Sequence, residues 1–258
     1  RAREAARRAS CQNNLKEFGI IFKMYANESK GEKYPNFRYA GGDLCDSFGF
    51  DFYYQGDEVY PEYLTDVNVC MCPSDANLAS DIAAGKWHCN NDPTGPVCPC
   101  KWNSRSYIYF AWALTWEHLV MAGEDHNNPD PASVIDLATL GAIDSLTTQV
   151  EAATTREQAL ALADVDITLT GHSRGDMTWY RLREGIERFF ISDINNAAAS
   201  NKAQSELPVM SDEVSTDVQE FNHIPGGANV LYMDGHVEFI KYPGDFPVDT
   251  VVAFITGL

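Results

Sequence analysis

The first 27 residues carry a regular pattern of apolar positions. Cys11, Leu15, Phe18, Phe22 and Tyr25 follow one another at spacings of four, three, four and three residues. Because an α-helix has about 3.6 residues per turn, side chains at these spacings form one apolar stripe. The pattern predicts a helix from about residue 1 to residue 27. The first eight residues hold no large apolar side chain, so we expect that part of the helix to stand clear of the core.

A second pattern lies near the end of the chain, in two apolar runs at residues 229–233 and 236–240. Asp234 and Gly235 separate these runs. An Asp-Gly pair between apolar runs is the strongest short-range signal for a β-hairpin with a two-residue type I′ turn. Alternation within the arms predicts a sheet surface that is half-buried.

Shorter patterns predict the remaining elements. They are a buried aromatic strand at 104–116, either single or bent into two, helices at 131–146 and 154–163, and strands at 177–182 and 207–210. We therefore expect an α+β fold with a long N-terminal helix packed on an antiparallel sheet. A helical stem, residues 1–30, would precede a globular head, residues 31–258. The head would contain a loop-rich, disulfide-bearing region and a helical insertion at about 120–175.

Charge is distributed unevenly along the 258 residues. The formal net charge is −18 at pH 7, yet residues 1–23 carry six basic and two acidic side chains, a local charge of +4. The remainder therefore carries −22, and an acidic body of this kind repels nucleic acid, so we expect no nucleic-acid partner. No run of about 18 apolar residues predicts a membrane span.

Five stretches together resemble a known family. They are R-A-R-E-A-A-R-R-A-S-C-Q-N-N-L-K at 1–16, C-P-S-D at 72–75, Y-R-L-R-E-G-I-E-R-F at 180–189, S-E-L-P-V-M-S-D at 205–212, and H-I-P-G-G-A-N-V-L-Y-M-D-G-H-V-E-F at 223–239. This set resembles the pilin-like proteins that have a prepilin-type N-terminal helix and a C-terminal histidine–spacer–aspartate–glycine domain, relatives of type IV pilins and type II secretion pseudopilins. The usual spacer has nine residues, whereas ten separate His223 from Asp234 here. The loop from Pro225 to Gly227 is expected to absorb the extra residue.

The resemblance implies a structural subunit and not an enzyme. Such a subunit self-assembles into an extracellular pilus-like filament or a secretion pseudopilus at the bacterial cell surface, after prepilin-type export. The expected partner is a further copy of the chain in a helical homo-oligomer, and membrane contact is expected only through a hydrophobic segment that this sequence does not contain. The expected assembly residues are Arg1, Arg3, Arg7, Arg8, Leu15, Phe18 and Phe22. The alternative for the arginines is a solvated, frayed helix end.

Seven cysteines, including C-M-C at 70–72 and C-P-C at 98–100, indicate disulfides in an oxidising compartment. An odd number leaves at least one thiol unpaired in a monomer. Cys11 and Cys72 lie in two of the family-like motifs, and the resemblance implies that they pair. Two bridges and one free thiol would then come from Cys45, Cys70, Cys89, Cys98 and Cys100. The alternatives are reduced core thiols, or a zinc site formed by Cys70, Cys72, Cys98 and Cys100, which the C-x-C spacing disfavours.

His223, Asp234 and His236 are candidates for a metal or catalytic group, because a carboxylate beside an imidazole is a reasonable pair of ligands. The simpler alternative is that Asp234 forms the turn and the histidines are hydrogen-bonded residues at the sheet edge. We expect no cofactor, and the metal ligands stay unassigned. Calcium is an alternative, since related pseudopilins bind it through acidic loops. The acidic stretches are 43–46, 124–130 and 245–249, and none has the spacing of an EF-hand.

Two other classes of function remain open. Residues 171–175 match the G-x-S-x-G pattern of a hydrolase with Ser173 as nucleophile, but that pattern needs a strand before it and a helix after it. Residues 175–180 predict a strand, so a flexible loop is the expected structure. The other class is a surface-exposed binding module for glycan or protein ligands, using the aromatic region at 105–175.

Overall fold

The computed structural model describes residues 2–190, 203–216, 221–223 and 226–257. Arg1 and Pro225 therefore lie outside the described residues. The α-helices are α1 Ala2–Glu28, α2 Gly56–Val59, α3 Leu78–Ala83, α4 Leu137–Glu151, α5 Arg156–Ala163 and α6 Thr250–Ile255. Within those ranges, no helix combines the length and the hydropathy needed to cross a bilayer.

The strands form three antiparallel sheets. Their bounds are β1 Phe37–Gly41, β2 Ser47–Tyr54, β3 Tyr107–Tyr109, β4 Trp112–Ala113, β5 Ile167–Leu169, β6 Met177–Arg181, β7 Pro208–Asp212, β8 Gly227–Tyr232 and β9 Val237–Lys241. β1 pairs with β2, the central sheet has the order β3-β7-β8-β9, and the third sheet has the order β4-β6-β5. The fold is α+β, as predicted, with an N-terminal helix, antiparallel sheets and disulfides.

Helix α1 lies on the central sheet, chiefly against β8. The predicted stripe is buried there: Leu15, Phe18 and Phe22 have no exposed surface. The helix comes so close to β8 that a Cβ atom at Gly19 would lie 3.1 Å from Cδ1 of Leu231. The assembly role expected of Leu15, Phe18 and Phe22 is therefore wrong. Their side chains fill the core of their own subunit and have no surface to offer another copy.

The expectation that the first eight residues stand clear of the core is also wrong. Glu4 accepts hydrogen bonds from Ser74 Oγ at 3.1 and 3.2 Å and faces His223 Nδ1 at 2.8 Å. Arg8 lies over the ring of Phe239, 3.8 Å from its centroid. Polar and cation–π contacts fasten the start of α1 where large apolar side chains are missing.

The predicted hairpin is present, but its turn is of a different type. β8 and β9 pair from Gly227 with Lys241 to Leu231 with Val237. The amide of Gly235 donates to the carbonyl of Tyr232, and only Gly235, not Asp234, has a positive φ. A type I′ turn needs positive φ at both central residues, so the turn is a longer loop with glycine at the left-handed position. β8 is buried along its whole length instead of on one face.

The other predicted elements are found with shifted bounds. The aromatic run bends into β3 and β4, which belong to different sheets. The two predicted helices correspond to α4 and α5, and α4 starts six residues later than expected because Pro131–Ser133 forms a separate 3-10 turn. α4 packs on β2 and α5 on β1, while β5 pairs with β6. The region at 120–175 thus shares the core of the head. The β1-β2 hairpin, which lies inside the region predicted to be loop-rich, has no counterpart among the predicted elements.

Candidate functional site

The family-like motifs converge on a buried cluster around His223, where α1 begins. His223 has no exposed surface. Its Nδ1 lies 2.8 Å from Oε1 of Glu4 on α1, and its Nε2 lies 3.0 Å from Oδ2 of Asp212 at the end of β7. One imidazole therefore joins the first turn of the helix to the central sheet.

Asp212 is held in place by the neighbouring strand. Its Oδ2 accepts hydrogen bonds from the backbone amide of Asn229, at 2.8 Å, and from the side-chain amide of Asn229, at 2.7 Å. Asp212 is completely buried, and its Oδ1 has no hydrogen-bond partner among the described residues. A buried carboxylate oxygen without a partner is costly, which makes this position unusual for a purely structural residue.

The Cys11–Cys72 disulfide lies against the same imidazole. Cys11 is on α1, Cys72 begins the C-P-S-D stretch, and the bridge spans 61 residues of sequence. Sγ of Cys72 is 3.7 Å from Nε2 of His223. One ligand atom from each of Cys11, Cys72, Asp212 and His223 lies within 4.8 Å of the others, and all four residues are buried.

The two carboxylates set the protonation of His223. Burial lowers the pKa of this imidazole, while the hydrogen bonds and negative charges of Asp212 and Glu4 raise it by more, so its pKa lies above the ordinary value. A protonated His223 between two carboxylates is an ion-paired, hydrogen-bonded group, which is the form in which a charge is tolerated inside a protein. The cluster can therefore act as a polar clamp on α1.

Other side chains of the same motifs fasten the helix further along. Gln12 Nε2 donates to the carbonyl of Val237 on β9 at 3.1 Å. Asn14 Nδ2 donates to the carbonyl of Met71 at 3.0 Å and to the hydroxyl of Tyr107 at 3.1 Å. Polar residues of the C-Q-N-N-L-K stretch thus hydrogen-bond to β9, to β3 and to the backbone next to Cys72.

Asp234 and His236 do not join His223. They form their own pair at the exposed turn, where Asp234 Oδ1 lies 2.6 Å from Nδ1 of His236 and accepts from its amide at 3.0 Å. The ring of His236 stacks on Tyr232 with a centroid distance of 4.5 Å. The candidate group of His223, Asp234 and His236 is therefore wrong as a single site. The expected turn-forming role of Asp234 fits this geometry, but His223 is buried and is not a sheet-edge residue.

The cysteines form three disulfides. They are Cys11–Cys72, Cys45–Cys100 and Cys89–Cys98, which leaves Cys70 as the free thiol. The first has the pairing that the resemblance implies. The alternative zinc site of Cys70, Cys72, Cys98 and Cys100 is wrong, because three of these residues belong to different bridges. Burial raises the pKa of the Cys70 thiol to about 12, so this cysteine is an unreactive core residue beside the hydroxyl of Tyr54.

The remaining assembly residues are the arginines of α1. Arg3 and Arg7 are exposed, whereas Arg8 covers Phe239 as described above. Arg1 lies outside the described residues. The exposed arginines lie in the first turns of α1, and Ile20 and Met24, which lie further along the helix, are also exposed.

Two of the acidic stretches considered for calcium contain carboxylates that are bonded within the protein. Asp43 accepts from the amide of Asn90 at 2.8 Å and forms an ion pair with Lys101 at 3.0 Å. Asp249 caps α6 by accepting from the amide of Val252 at 2.8 Å. These carboxylates stabilise loops and a helix end, and calcium binding stays a prediction.

Ser173 lies in a loop between β5 and β6, as expected. Its hydroxyl oxygen accepts from the amide of Ala122 at 2.8 Å, and its own amide donates to Asp136 at 2.9 Å. The neighbouring His172 is buried, with Nε2 3.7 Å from Oδ2 of Asp136. Among the described residues no histidine nitrogen is hydrogen-bonded to the Ser173 hydroxyl, so the arrangement lacks the base that a serine nucleophile needs.

The aromatic run considered as a ligand surface is part of the core. Tyr107, Tyr109, Phe110 and Trp112 are all buried. Trp116 is partly exposed at its edge of the run, and the guanidinium of Arg174 covers its ring at 4.8 Å. The run therefore packs the head together instead of presenting aromatic faces to a ligand.

Three members of the cluster, Glu4, Asp212 and Asn229, were not among the candidate site residues predicted from the sequence. Glu4 lies four residues before Arg8, which is the spacing of an ordinary ion pair on a helix surface, and Asp212 follows the predicted strand at 207–210. One signal could have found them, because Glu4 and Asp212 are both carboxylates inside family-like stretches, at 1–16 and 205–212. What the sequence does not reveal is that residues 4, 212 and 229 meet.

Together the fold and the cluster define a class: an α+β protein whose long N-terminal helix is fastened to an antiparallel sheet by a disulfide and a buried, histidine-centred polar cluster. The model of one protein family, described as "Protein of unknown function (DUF1559)", matches residues 1–44. The match covers α1 and β1. No curated protein and no solved structure matches the chain.

Proposed function

We propose that this chain is a structural subunit that self-assembles into an extracellular filament or secretion pseudopilus, with α1 at the contact between copies. The observation that carries the proposal is the separation of charge between the start of α1 and the head. Arg3 and Arg7 are exposed at one end of a molecule whose other residues are strongly acidic. Opposite charges on different parts of one surface favour a head-to-tail contact, which repeats instead of closing.

The outer side of α1 also offers apolar surface. Ile20 is 62% exposed and Met24 is 46% exposed, and both border a groove with Tyr63 and Leu64. Large exposed apolar side chains on a helix are typical of a contact surface. The inner stripe is occupied by the head, so the proposed contact uses only the outer side of the helix.

Charge reversal tests the proposal. The purified chain is examined by negative-stain electron microscopy and by sedimentation over a range of salt concentrations, together with an Arg3→Glu/Arg7→Glu variant. The control is Lys30→Glu/Lys241→Glu, which makes the same change of charge at exposed positions away from the start of the helix. Filaments that are lost in the first variant, weakened by salt and kept in the control support the proposal. A chain that stays monomeric under all conditions contradicts it.

A further inference from the structure

The cluster around His223 has the composition and geometry of a transition-metal site. We propose that the chain with Cys11 and Cys72 reduced binds one Zn²⁺ ion through these two thiolates, Asp212 and His223, so that the metal takes the place of the disulfide. Two sulfurs, one imidazole nitrogen and one carboxylate oxygen are ligands that zinc accepts in a four-coordinate site. Calcium and magnesium prefer oxygen ligands, so the two sulfurs point to zinc.

The distances fit such a site. Zinc–sulfur bonds of about 2.3 Å and zinc–nitrogen bonds of about 2.0 Å place neighbouring tetrahedral ligand atoms about 3.5 Å apart. Sγ of Cys72 and Nε2 of His223 are 3.7 Å apart, and the four ligand atoms lie within 4.8 Å of one another. Small movements of side chains would therefore complete the coordination sphere.

The surroundings of the cluster also match those of a metal site. A histidine that binds a metal through one ring nitrogen usually donates its other N–H group to a carboxylate. Glu4 lies 2.8 Å from Nδ1 of His223 and leaves Nε2 directed toward the cysteines and Asp212. Asn229 fixes Asp212 through Oδ2, while Oδ1 is buried without a hydrogen-bond partner among the described residues. A metal ion would supply a partner for that carboxylate.

The chemistry balances in two steps. A thiol or phosphine reductant supplies two electrons that break the Cys11–Cys72 bond, and each sulfur takes up one proton. Zn²⁺ then displaces both thiol protons as two zinc–sulfur bonds form. The charged imidazole of His223 gives up its Nε2 proton as the zinc–nitrogen bond forms, so three protons are released in all. The disulfide belongs to an oxidising compartment and the metal to a reducing one. In either state the same residues hold the start of α1 on the sheet.

The test is a metal titration of the oxidised and the reduced chain. The chain is reduced with a phosphine, freed of reductant without oxygen, and titrated with Zn²⁺ against a chromophoric chelator and with Co²⁺ as a spectroscopic probe. We expect one equivalent to bind the reduced chain at least a hundredfold more tightly than the oxidised chain. The Co²⁺ spectrum should show tetrahedral d–d bands and charge transfer from two thiolates.

Variants assign the site. Asp212→Asn and Cys11→Ala should weaken binding at least tenfold. Cys45→Ala/Cys100→Ala should leave it unchanged, although it removes two other cysteines that lie close to a carboxylate, that of Asp57. If the reduced chain loses its near-ultraviolet circular dichroism without metal, Zn²⁺ should restore that signal in the control variant and not in Asp212→Asn. Absence of a tight equivalent, a spectrum of four thiolates, or loss of binding in the control variant overturns the proposal.

Discussion

Glu4 and His223 are 219 residues apart in sequence, and their side chains are 2.8 Å apart in the fold. This contact joins the first turn of α1 to the region just before β8. It explains why a helix start without large apolar side chains is nevertheless docked.

Glu4→Ala should loosen the first turns of α1. The change removes the hydrogen bonds with Ser74 and leaves one nitrogen of the buried His223 without its carboxylate. Hydrogen bonds to charged groups contribute roughly 1.5–3 kcal/mol, so we expect a loss of stability of that order. Hydrogen exchange of the amides at 5–10 should become faster. Glu17→Ala, at an exposed position of the same helix, is the control. Equal exchange rates in both variants would show that Glu4 does not hold the first turns of α1 on the head.

Replacing the Cys11–Cys72 disulfide should cost more stability than replacing Cys89–Cys98. The first bridge spans 61 residues and the second spans 9. The loop-entropy relation gives about 4 kcal/mol for the longer loop and about 3 kcal/mol for the shorter one. The measurement is urea unfolding of Cys11→Ala/Cys72→Ala and of Cys89→Ala/Cys98→Ala under oxidising conditions. A smaller loss of unfolding free energy in the first variant would contradict the prediction that the longer loop gives the larger stabilisation.

Phe18→Ala should destabilise the single subunit, not merely its assembly. The ring of Phe18 is fully buried, with centroids 5.5 Å from that of Tyr54 and 5.9 Å from that of Tyr107. Truncation of a buried phenylalanine costs about 3–5 kcal/mol. Ile20→Ala on the outer side of α1 should change the free energy of unfolding by about 0.5 kcal/mol or less. Unfolding of purified monomers in urea measures both, and equal stability of the two variants would place Phe18 outside the core.

Stability should fall with acid because of His118. Burial lowers the pKa of His118 to about 4, and its Nδ1 accepts a hydrogen bond from the amide of Thr115 at 3.1 Å. An unfolded histidine has a pKa of about 6.5. Between these two values the unfolded chain binds a proton that the folded chain does not, so the free energy of unfolding declines as pH falls from about 6.5 to about 4.

His118→Asn tests this dependence, because its side-chain oxygen can accept from Thr115 without binding a proton. The wild-type chain should lose about 3 kcal/mol more than the variant over that pH interval, an order-of-magnitude figure from the pKa difference. Chemical denaturation at pH 7.5, 5.5 and 4.5 gives the comparison. Parallel pH profiles for the two chains would rule out His118 as the cause.

Arg181→Met should be among the most damaging single changes in the head. The guanidinium is buried and donates to the carbonyl oxygens of Ala111, Tyr34 and Pro35. Removal of one partner from a buried charged network costs about 3–5 kcal/mol. Arg183→Met is the matched control on a partly exposed arginine. The readout is the midpoint of thermal unfolding, and a similar shift in both variants would contradict the special role of Arg181.

The sequence predicts the features of this fold that depend on local periodicity. The stripe on α1 and the Asp-Gly signal before β9 each concern residues that are neighbours in sequence, and both elements are present. The type of the turn was not predictable from the Asp-Gly pair. Two-residue and three-residue loops favour nearly the same residues, although they pair the strands in different registers. β1 and β2 were missed although Phe48, Phe50 and Phe52 alternate with smaller or polar residues, because the glycines, prolines and cysteines around them favour loops.

The cluster was less predictable than the elements that carry it. His223 was recognised as a candidate from its motif, but its partners are chosen by the packing of α1, β7 and β8. Arg181 looked like an ordinary charge at the end of a strand, and only the fold surrounds it with carbonyl oxygens. Residues that meet across 100 or 200 positions leave no periodic signal in one sequence.

The joining of Glu4 to His223 has a consequence for the order of folding. During synthesis α1 emerges well before β7 and β8, against which its apolar stripe packs, because these strands are made nearly 200 residues later. Contacts between such distant segments form slowly. Throughout that interval the helix lacks β8, the strand against which it chiefly packs, and any chaperone or export factor that handles the nascent protein would find that part of its apolar face accessible.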